Sequence, residues 1–317
     1  MASIAATYLP TIWAQESLIV LRDNLVMAGL VHRSFESAIG TAGDRVRTRL
    51  PNKHVVHTWT GQTGTAAEAT EDKRIDLSTA SNLTIVVDSM AYTSNLIQDS
   101  DASMSIKDLV AEFIVPMIDP LSQGIDDAIM TEFTSTASTD VNGLAVEVVA
   151  ADLPVSNGQD IDEQDLIEAM LQLNLDQAPQ SPRRLVLSAQ HHAQIVGRPL
   201  FHQANTAGET RALRDAIVGR AFGFDVYMSQ NVPGAIDTNG SAQSIAFHPN
   251  ALALVTRNLD TDGPNQNGAR AARAEIDNIS VRVMQQYMIQ KNGTAIVAEV
   301  LYGTQLMDAR LAKIINP

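Results

Sequence analysis

The chain is 317 residues long, 45% hydrophobic and 18% charged, with 36 acidic against 22 basic residues and a formal charge of −14. Such a length fits one large domain or about two of the usual ~150 residues, and so acidic a balance argues against tight binding along nucleic-acid phosphates, although not against enclosing them. With no cysteine, disulfides, thiolate nucleophiles and cysteine-held metals are excluded, and no run reaches the ~18 apolar residues of a membrane span or has the make-up of a secretion signal.

At the N-terminus, Pro10 and Thr11 precede Ile12, Leu18, Leu21, Leu25 and Val26 at helical spacing, and Gly29 follows. This predicts an amphipathic helix within 8–30. After a turn cluster at Gly40 to Asp44 the period changes to two: Arg45, Arg47 and Arg49 alternate with Val46, Thr48 and Leu50 in a predicted strand (44–59) with one basic face. Its partner is predicted at 73–90, where Ile75, Leu77, Leu83, Ile85 and Val87 alternate with polar residues; the small, polar run 61–72 between them is expected to be a mobile tip. A lone two-stranded hairpin is marginal in water. Lying across a neighbouring subunit would satisfy both the basic strand (Arg45, Arg47, Arg49, Lys53) and the acids of the tip and second strand (Glu68, Glu71, Asp72, Asp76); a solvated hairpin with cross-strand ion pairs is the other reading.

Ser105 and Asp108 form a capping-box-like start for a helix running to Phe133, kinked or broken near 115–120 by Pro116 and Pro120 and finished by Ser135. From 140 onward strands and helices alternate, as in a mixed α/β domain. We expect a short strand in 141–150, a helix over 160–174 capped by Asp162, a buried strand at 184–188, a short helix at 189–197 and a strand within 219–233. Residues 244–259 read as a strand and a helix or as two strands, and 260–270 as a loop. In 279–315 two alternating strands flank Asn292-Gly293, a pair that suits a tight turn with both central residues at positive φ. A third strand, near Leu311 to Ile315, is expected to close that sheet.

No nucleotide, hydrolase or metalloprotease motif is present, and no cofactor is expected. Asp160, Asp162, Glu163 and Asp165 are dense enough for a calcium loop but lack its glycine and terminal glutamate at the required spacing, so helix capping explains them. The adjacent His191 and His192 point in different directions on any regular element and have no third ligand at helical spacing. Gly64-Thr65 suits a flexible tip better than a phosphate cradle, since no helix start follows. Arg257, Arg270 and Arg273 flank the 260–270 loop, either to meet acids of a neighbouring subunit or to keep the loop solvated.

Three segments carry a resemblance. Residues 212–233 (with Gly219-Arg-x-x-Gly-Phe-Asp-Val-Tyr-x-Ser-x-Asn-x-Pro233), 246–259 (Ala246-Phe-His-x-x-Ala-x-Ala-Leu) and 279–314 (with Leu301-Tyr302-Gly303) resemble the C-terminal half of tailed-bacteriophage major capsid proteins, in particular the short-tailed phage coat branch. Pro10-Thr-Ile-Trp13 and Gly43-Asp-Arg-Val-Arg-Thr-Arg-Leu-Pro51 are similar to the family's N-terminal half, so the resemblance spans most of the chain. It implies an α+β fold of the Hong Kong 97 type: an N-terminal arm (1–40), an extended hairpin loop that lies on the adjacent subunit (41–88), a peripheral domain with a long spine helix (89–143 and 266–317) and a mixed α/β axial domain (144–265). Phe222, Phe224 and Tyr227 would then be packing residues of an axial-domain strand.

The implied function is a major capsid protein that self-assembles into hexamers and pentamers of an icosahedral shell. That shell would enclose double-stranded DNA without sequence-specific binding, in a virion assembled in the host cytoplasm, with a scaffolding protein, a portal and a cement protein as partners. The span between spine helix and final sheet is too short for the inserted domain of some relatives, leaving the hairpin, the arm or a cement protein to reinforce the shell. A cellular encapsulin-like nanocompartment shell shares the implied fold. The residues by themselves also leave open an α/β hydrolytic enzyme using acids such as Asp225 or Asp237.

Overall fold

Two antiparallel-rich sheets and a 20-residue helix organise the computed structural model, which describes residues 10–35, 45–50, 81–99, 115–135, 140, 144–149, 161–198, 219–230, 243–276 and 279–315. The helices are α1 (Pro10–Asn24), α2 (Val115–Thr134), α3 (Glu163–Leu175), α4 (Ala189–Val196) and α5 (Asp262–Gln266). The strands of the first half are β1 (Arg45–Leu50), β2 (Ser81–Val86), β3 (Ser89–Gln98), β4 (Glu147–Val149), β5 (Arg184–Leu187), β6 (Arg220–Ala221) and β7 (Phe224–Met228). Those of the second are β8 (Ser244–Phe247), β9 (Leu252–Arg257), β10 (Arg270–Ile276), β11 (Ile279–Met288), β12 (Gly293–Leu306) and β13 (Ala312–Ile315).

Strand β12 is long enough to serve two partners on one side. On one edge β11, backed by β10, pairs with its first part and β9 with its last, while β3 pairs along the other edge, all antiparallel. Period-two burial follows: Val281, Val283, Ile296, Ala298 and Val300 face a core closed by α1 and α2. Helix α1 contributes Trp13, Leu18 and Leu21 from one stripe, and α2 contributes Ile118, Leu121, Ile125, Ile129 and Phe133 at intervals of three and four. The helix expected to be kinked or broken near 115–120 runs without interruption from Val115 through both prolines. Pro120 lies close to its start and forfeits one hydrogen bond, and Pro116 lies in the first turn, where no partner is needed. Residues 101–114, where its start was expected, lie outside the described residues.

The second sheet has the order β4-β13-β8-β5-β7-β6 and mixes parallel with antiparallel pairs. Its middle strands are buried on both faces. Val186, Ile245, Phe247 and Ile314 turn to the α1–α2 core, whereas Leu185, Leu187, Ala246 and Ile315 turn to a second core under α3 and α4. That is why these strands read as unbroken apolar runs. The Phe133 and Phe247 rings, 5.0 Å apart between centroids, join α2 to the sheet.

Three expectations change, and the open choice for residues 244–259 is decided. The last strand, β13, leaves the β11–β12 sheet and inserts between β4 and β8, redirected by a 3-10 turn at Ala309–Leu311. Residues 244–259 are two strands in different sheets, joined by a 3-10 turn at Pro249–Ala251 whose Asn250 N–H is accepted by His248 Nδ1. Strand pairing thus carries β9 and β13 across the divisions expected at 265 and 266. The 260–270 loop holds the short α5, begun where Asp260 accepts the N–H groups of Asp262 and Gly263. Finally, the β11–β12 connection is a 3-10 turn at Ile289–Lys291 with Asn292 alone at positive φ (45°).

A buried carboxylate fixes the arm to α2. Asp126 accepts the N–H groups of Val26 (3.0 Å) and Met27 (3.1 Å), where α1 gives way to a 3-10 turn at Met27–Gly29. Burial pushes its carboxyl up to about 6, against the opposing pull of those N–H groups. The folded state therefore holds this proton more tightly than the unfolded chain, so its contribution to stability is greatest below about pH 4 and declines as pH rises through about 6. The decline amounts to about 3 kcal/mol. Asp126→Asn keeps an acceptor oxygen and removes the titration. In urea unfolding between pH 4 and 7, wild-type stability minus variant stability is expected to fall by that amount; a difference independent of pH would contradict the assignment.

Candidate assembly surfaces

The hairpin of β1 and β2 is antiparallel, from Arg45 opposite Val86 to Leu50 opposite Ser81. Alternation in β2 roots it: Leu83 and Ile85, then Val87, are buried against Ala253 and Val255 of β9 and Met307, with Phe35 and Leu301 at the margin. On its other edge β9 is gripped by residue 32, whose N–H donates to the Leu252 carbonyl and whose carbonyl accepts the Leu254 N–H, each at 3.0 Å. Between β2 and β3 the chain crosses β12 at Gly303. A Cβ there would lie 2.1 Å from the Val86 carbonyl oxygen and 2.9 Å from its carbon, so no larger residue fits without displacing backbone. The Leu301-Tyr302-Gly303 element is therefore the seat of the hairpin.

Register sets Arg45, Arg47 and Arg49 opposite Val86, Thr84 and Asn82, with Arg45 exposed. Lys53, Glu68, Glu71, Asp72, Gly64, Thr65 and Asp237 lie outside the described residues. Arg270 and Arg273 are exposed on β10, opposite Gln285 and Arg282, while Arg257 is half-buried at the end of β9, its carbonyl accepting the Ser280 hydroxyl. Sequence reading passed over Arg282, the arginine that holds this corner. It bonds Glu299 directly across the strands and the Asp260 carbonyl at the head of the loop, with both paired side chains largely buried. The signal was a charge at a polar position of each alternating strand, which pattern alone cannot pair.

The segment 219–230 forms a hairpin through Phe222 and Gly223, both at positive φ (48° and 83°). Phe224 is fully buried in the second core and Phe222 packs beside it. Tyr227, expected to pack with them, is 38% exposed, because the outer half of β7 extends past its two-residue partner β6. A second apolar surface lies on the five-stranded sheet, on the face away from α1 and α2. There an open groove of about 590 Å³ is lined by Met90, Tyr92, Leu96, Met288, Val297 and Glu299, with Tyr92 64% exposed.

The residues weighed for chemistry have structural roles. Asp162 caps α3 by accepting the Gln164 and Asp165 N–H groups, and Asp165 returns the bond to the Asp162 N–H. Buried His191 has Nδ1 2.7 Å from the Ser244 hydroxyl, and its N–H donates to Ser188 Oγ. Asp225 sits on the surface beside Arg220 at 3.7 Å. Among the described residues no group of three His, Asp or Glu could hold a metal.

No protein-family model matches the sequence, and no curated protein does. Solved structures do match. The chain is similar to a chain of Mycobacterium phage Che8 (TM-score 0.67, 18% identity, 92% of this chain and 91% of that one). It is also similar to a chain in the capsid of cyanophage P-SCSP1u (0.61, 14%, 92% and 88%) and to one in the capsid of an empty GTA particle (0.55, 11%, 92% and 89%). The likeness is one of fold, and the fold is the α+β, Hong Kong 97-type capsid fold that the sequence motifs implied.

Gly303→Ala tests the seat of the hairpin. Forcing the backbones of β12 and Val86 apart should cost about 1–3 kcal/mol and speed hydrogen exchange across Ser81–Val86 while leaving β5 and β8 protected. Gly29→Ala, where a Cβ meets nothing within 4 Å, is the control. Unchanged exchange in β2 would show that the crossing tolerates a side chain.

Proposed function

We propose that this chain is the major capsid protein of a tailed phage, a shell subunit that assembles with itself into hexamers and pentamers around double-stranded DNA. The observation that carries the proposal is the fold, shared over 92% of the chain with phage Che8 and with the cyanophage capsid. Its role is structural, with no reaction assigned to it, and its place is the virion shell, assembled in the host cytoplasm. Scaffolding protein, portal and cement protein are the further partners such a shell would use.

The parts of the chain take the roles such a subunit needs. Residues 1–40 act as an arm, 41–88 as the loop that reaches a neighbour, 89–143 with 266–317 as the peripheral domain and 144–265 as the axial domain, the two domains exchanging β9 and β13. The hairpin is rooted firmly on β9, a base on which a contact with the next copy can bear load. Arg45, Arg47, Arg49 and Lys53, with Glu68, Glu71 and Asp72, are its contact residues, and exposed Arg270 and Arg273 with half-buried Arg257 offer a further charged contact. The apolar groove at Met90 and Tyr92 is a receiving surface of suitable character. A net charge of −14 suits a container that must hold DNA without gripping it.

Purified protein, alone and co-expressed with its genomic neighbours, is expected to give closed particles or capsomer rings in negative-stain electron microscopy and light scattering. A uniform monomer under every condition would overturn the proposal. Replacing Arg45, Arg47 and Arg49 together with Gln should leave the melting temperature of the subunit within about 2 °C and weaken assembly. Assembly of the wild type should be the more sensitive to added salt if these arginines act through ion pairs. An unfolded subunit would instead assign the basic strand to the fold itself.

A further inference from the structure

Helix α3 is apolar on two sides. Leu166, Ala169 and Leu173 are buried in the second core, yet Ile167, Leu171 and Leu175, spaced by four, remain 44%, 50% and 65% exposed. An amphipathic surface helix would carry polar residues there. Three large aliphatic side chains in one row are the pattern by which a helix docks on a partner. At 3.6 residues per turn, Glu163 and Glu168 flank this row on its two sides, and the last turn carries no basic residue. Glu147, on the adjoining β4, has a largely exposed side chain, one oxygen of which is bonded by Lys313. The surface is apolar with an acidic border.

The opposite end of the same sheet has complementary character. Helix α3 packs at the β4–β13 end, and β6–β7 is the other end in the strand order. There β7 outruns β6, leaving Tyr227 (38%) and Met228 (42%) exposed. Beside them Arg220 projects with its side chain 64% exposed, held only loosely by Asp225 at 3.7 Å.

We infer that the α3 row of one copy receives the β6–β7 end of the next copy, Ile167, Leu171 and Leu175 against Tyr227 and Met228, with Arg220 reaching the acidic border. Two different patches at opposite ends of one sheet make a head-to-tail contact, which closes into a ring when the rotation per copy is right and otherwise grows open-ended. The inference deepens the proposed shell function and rests on it, since it names the contact by which axial domains form a ring.

The test uses the full chain. Ile167→Ser with Leu171→Ser removes exposed apolar surface and should leave the thermal midpoint of the unassembled subunit unchanged, while raising the critical concentration for assembly, read by light scattering, about tenfold or more. Glu168→Arg and Arg220→Glu should each weaken assembly, and the two combined should restore it at least in part. If wild type assembles and the serine variant does so at the same concentration, or if the combined charge exchange is no better than either single change, the inference is wrong and the shell function stands. If wild type never assembles, the shell function fails and this contact fails with it.

Discussion

The strand exchange between the two sheets is the constraint on which the rest of the molecule depends. Residues 244–257 place β8 in one sheet and β9 in the other, and residues 293–315 do the same with β12 and β13. The two crossings lie side by side: the N–H groups of Met307 and Asp308 both donate to the Ala251 carbonyl, and the His248 N–H donates to that of Leu311. Neither sheet can shift without breaking backbone bonds in the other. The central sheet is also buried on both faces, so the α1–α2 core and the α3–α4 core share a wall one strand thick. A subunit built this way transmits load from one end to the other with little give, because close-packed interiors deform poorly.

Buried polar groups fasten the same junctions. Asp126 ties the arm to α2, Arg282 ties the 260–270 corner to β12 through Glu299, and Lys313 of β13 bonds Glu147 of β4 and Asp176 at the end of α3. Burial pulls the Lys313 ammonium down, but its bonds to Asp176 and Glu147 outweigh that and hold it above the usual lysine range, so it stays charged. Pairs of this kind add little net stability over apolar packing, yet a mispaired alternative would strand a buried charge. In β13, whose run Ala-Lys-Ile-Ile would pack in several registers, Lys313 opposite Glu147 selects one.

Much of this was legible from period and composition. The basic alternation of β1, the partner stretch around Leu83 and Ile85, the cap at Asp162 and the apolar runs of β5 and β8 all appear where spacing placed them, because each depends on neighbours within a few residues. What failed depended on distant ones. Chain order suggested that Leu311 to Ile315 would join the preceding hairpin, but β13 is buried at every residue and needs cover on both faces, which its place between β4 and β8 in the six-stranded sheet supplies. Asn292-Gly293 had the composition of a two-residue turn, while the positive φ pair fell at Phe222-Gly223, where core packing of Phe222 offsets a backbone cost of roughly 1–2 kcal/mol. Of the proposed assembly surfaces, the basic strand was visible in the sequence. The row on α3 was not, since an apolar residue at nearly every turn does not say which face is the inner one.

The proposed shell subunit has to satisfy opposed requirements. It must fold as a discrete body before it has neighbours, so its cores cannot be shared with them, yet it must keep apolar surface uncovered for them. Here the uncovered surface is divided among separate places, the groove by Tyr92, the row on α3 and the end of β7, each of modest extent. Division matters physically. A single large patch would aggregate at any orientation, whereas small patches on an acidic body are individually too weak to overcome the repulsion of like-charged copies and become effective when several engage together. Orientation is then selected by simultaneity, and because the junctions named above are fastened by backbone exchange or a buried charge, the patches hold fixed distances from one another. In the proposed shell, rigidity inside the subunit is what would let weak contacts outside it specify a closed form.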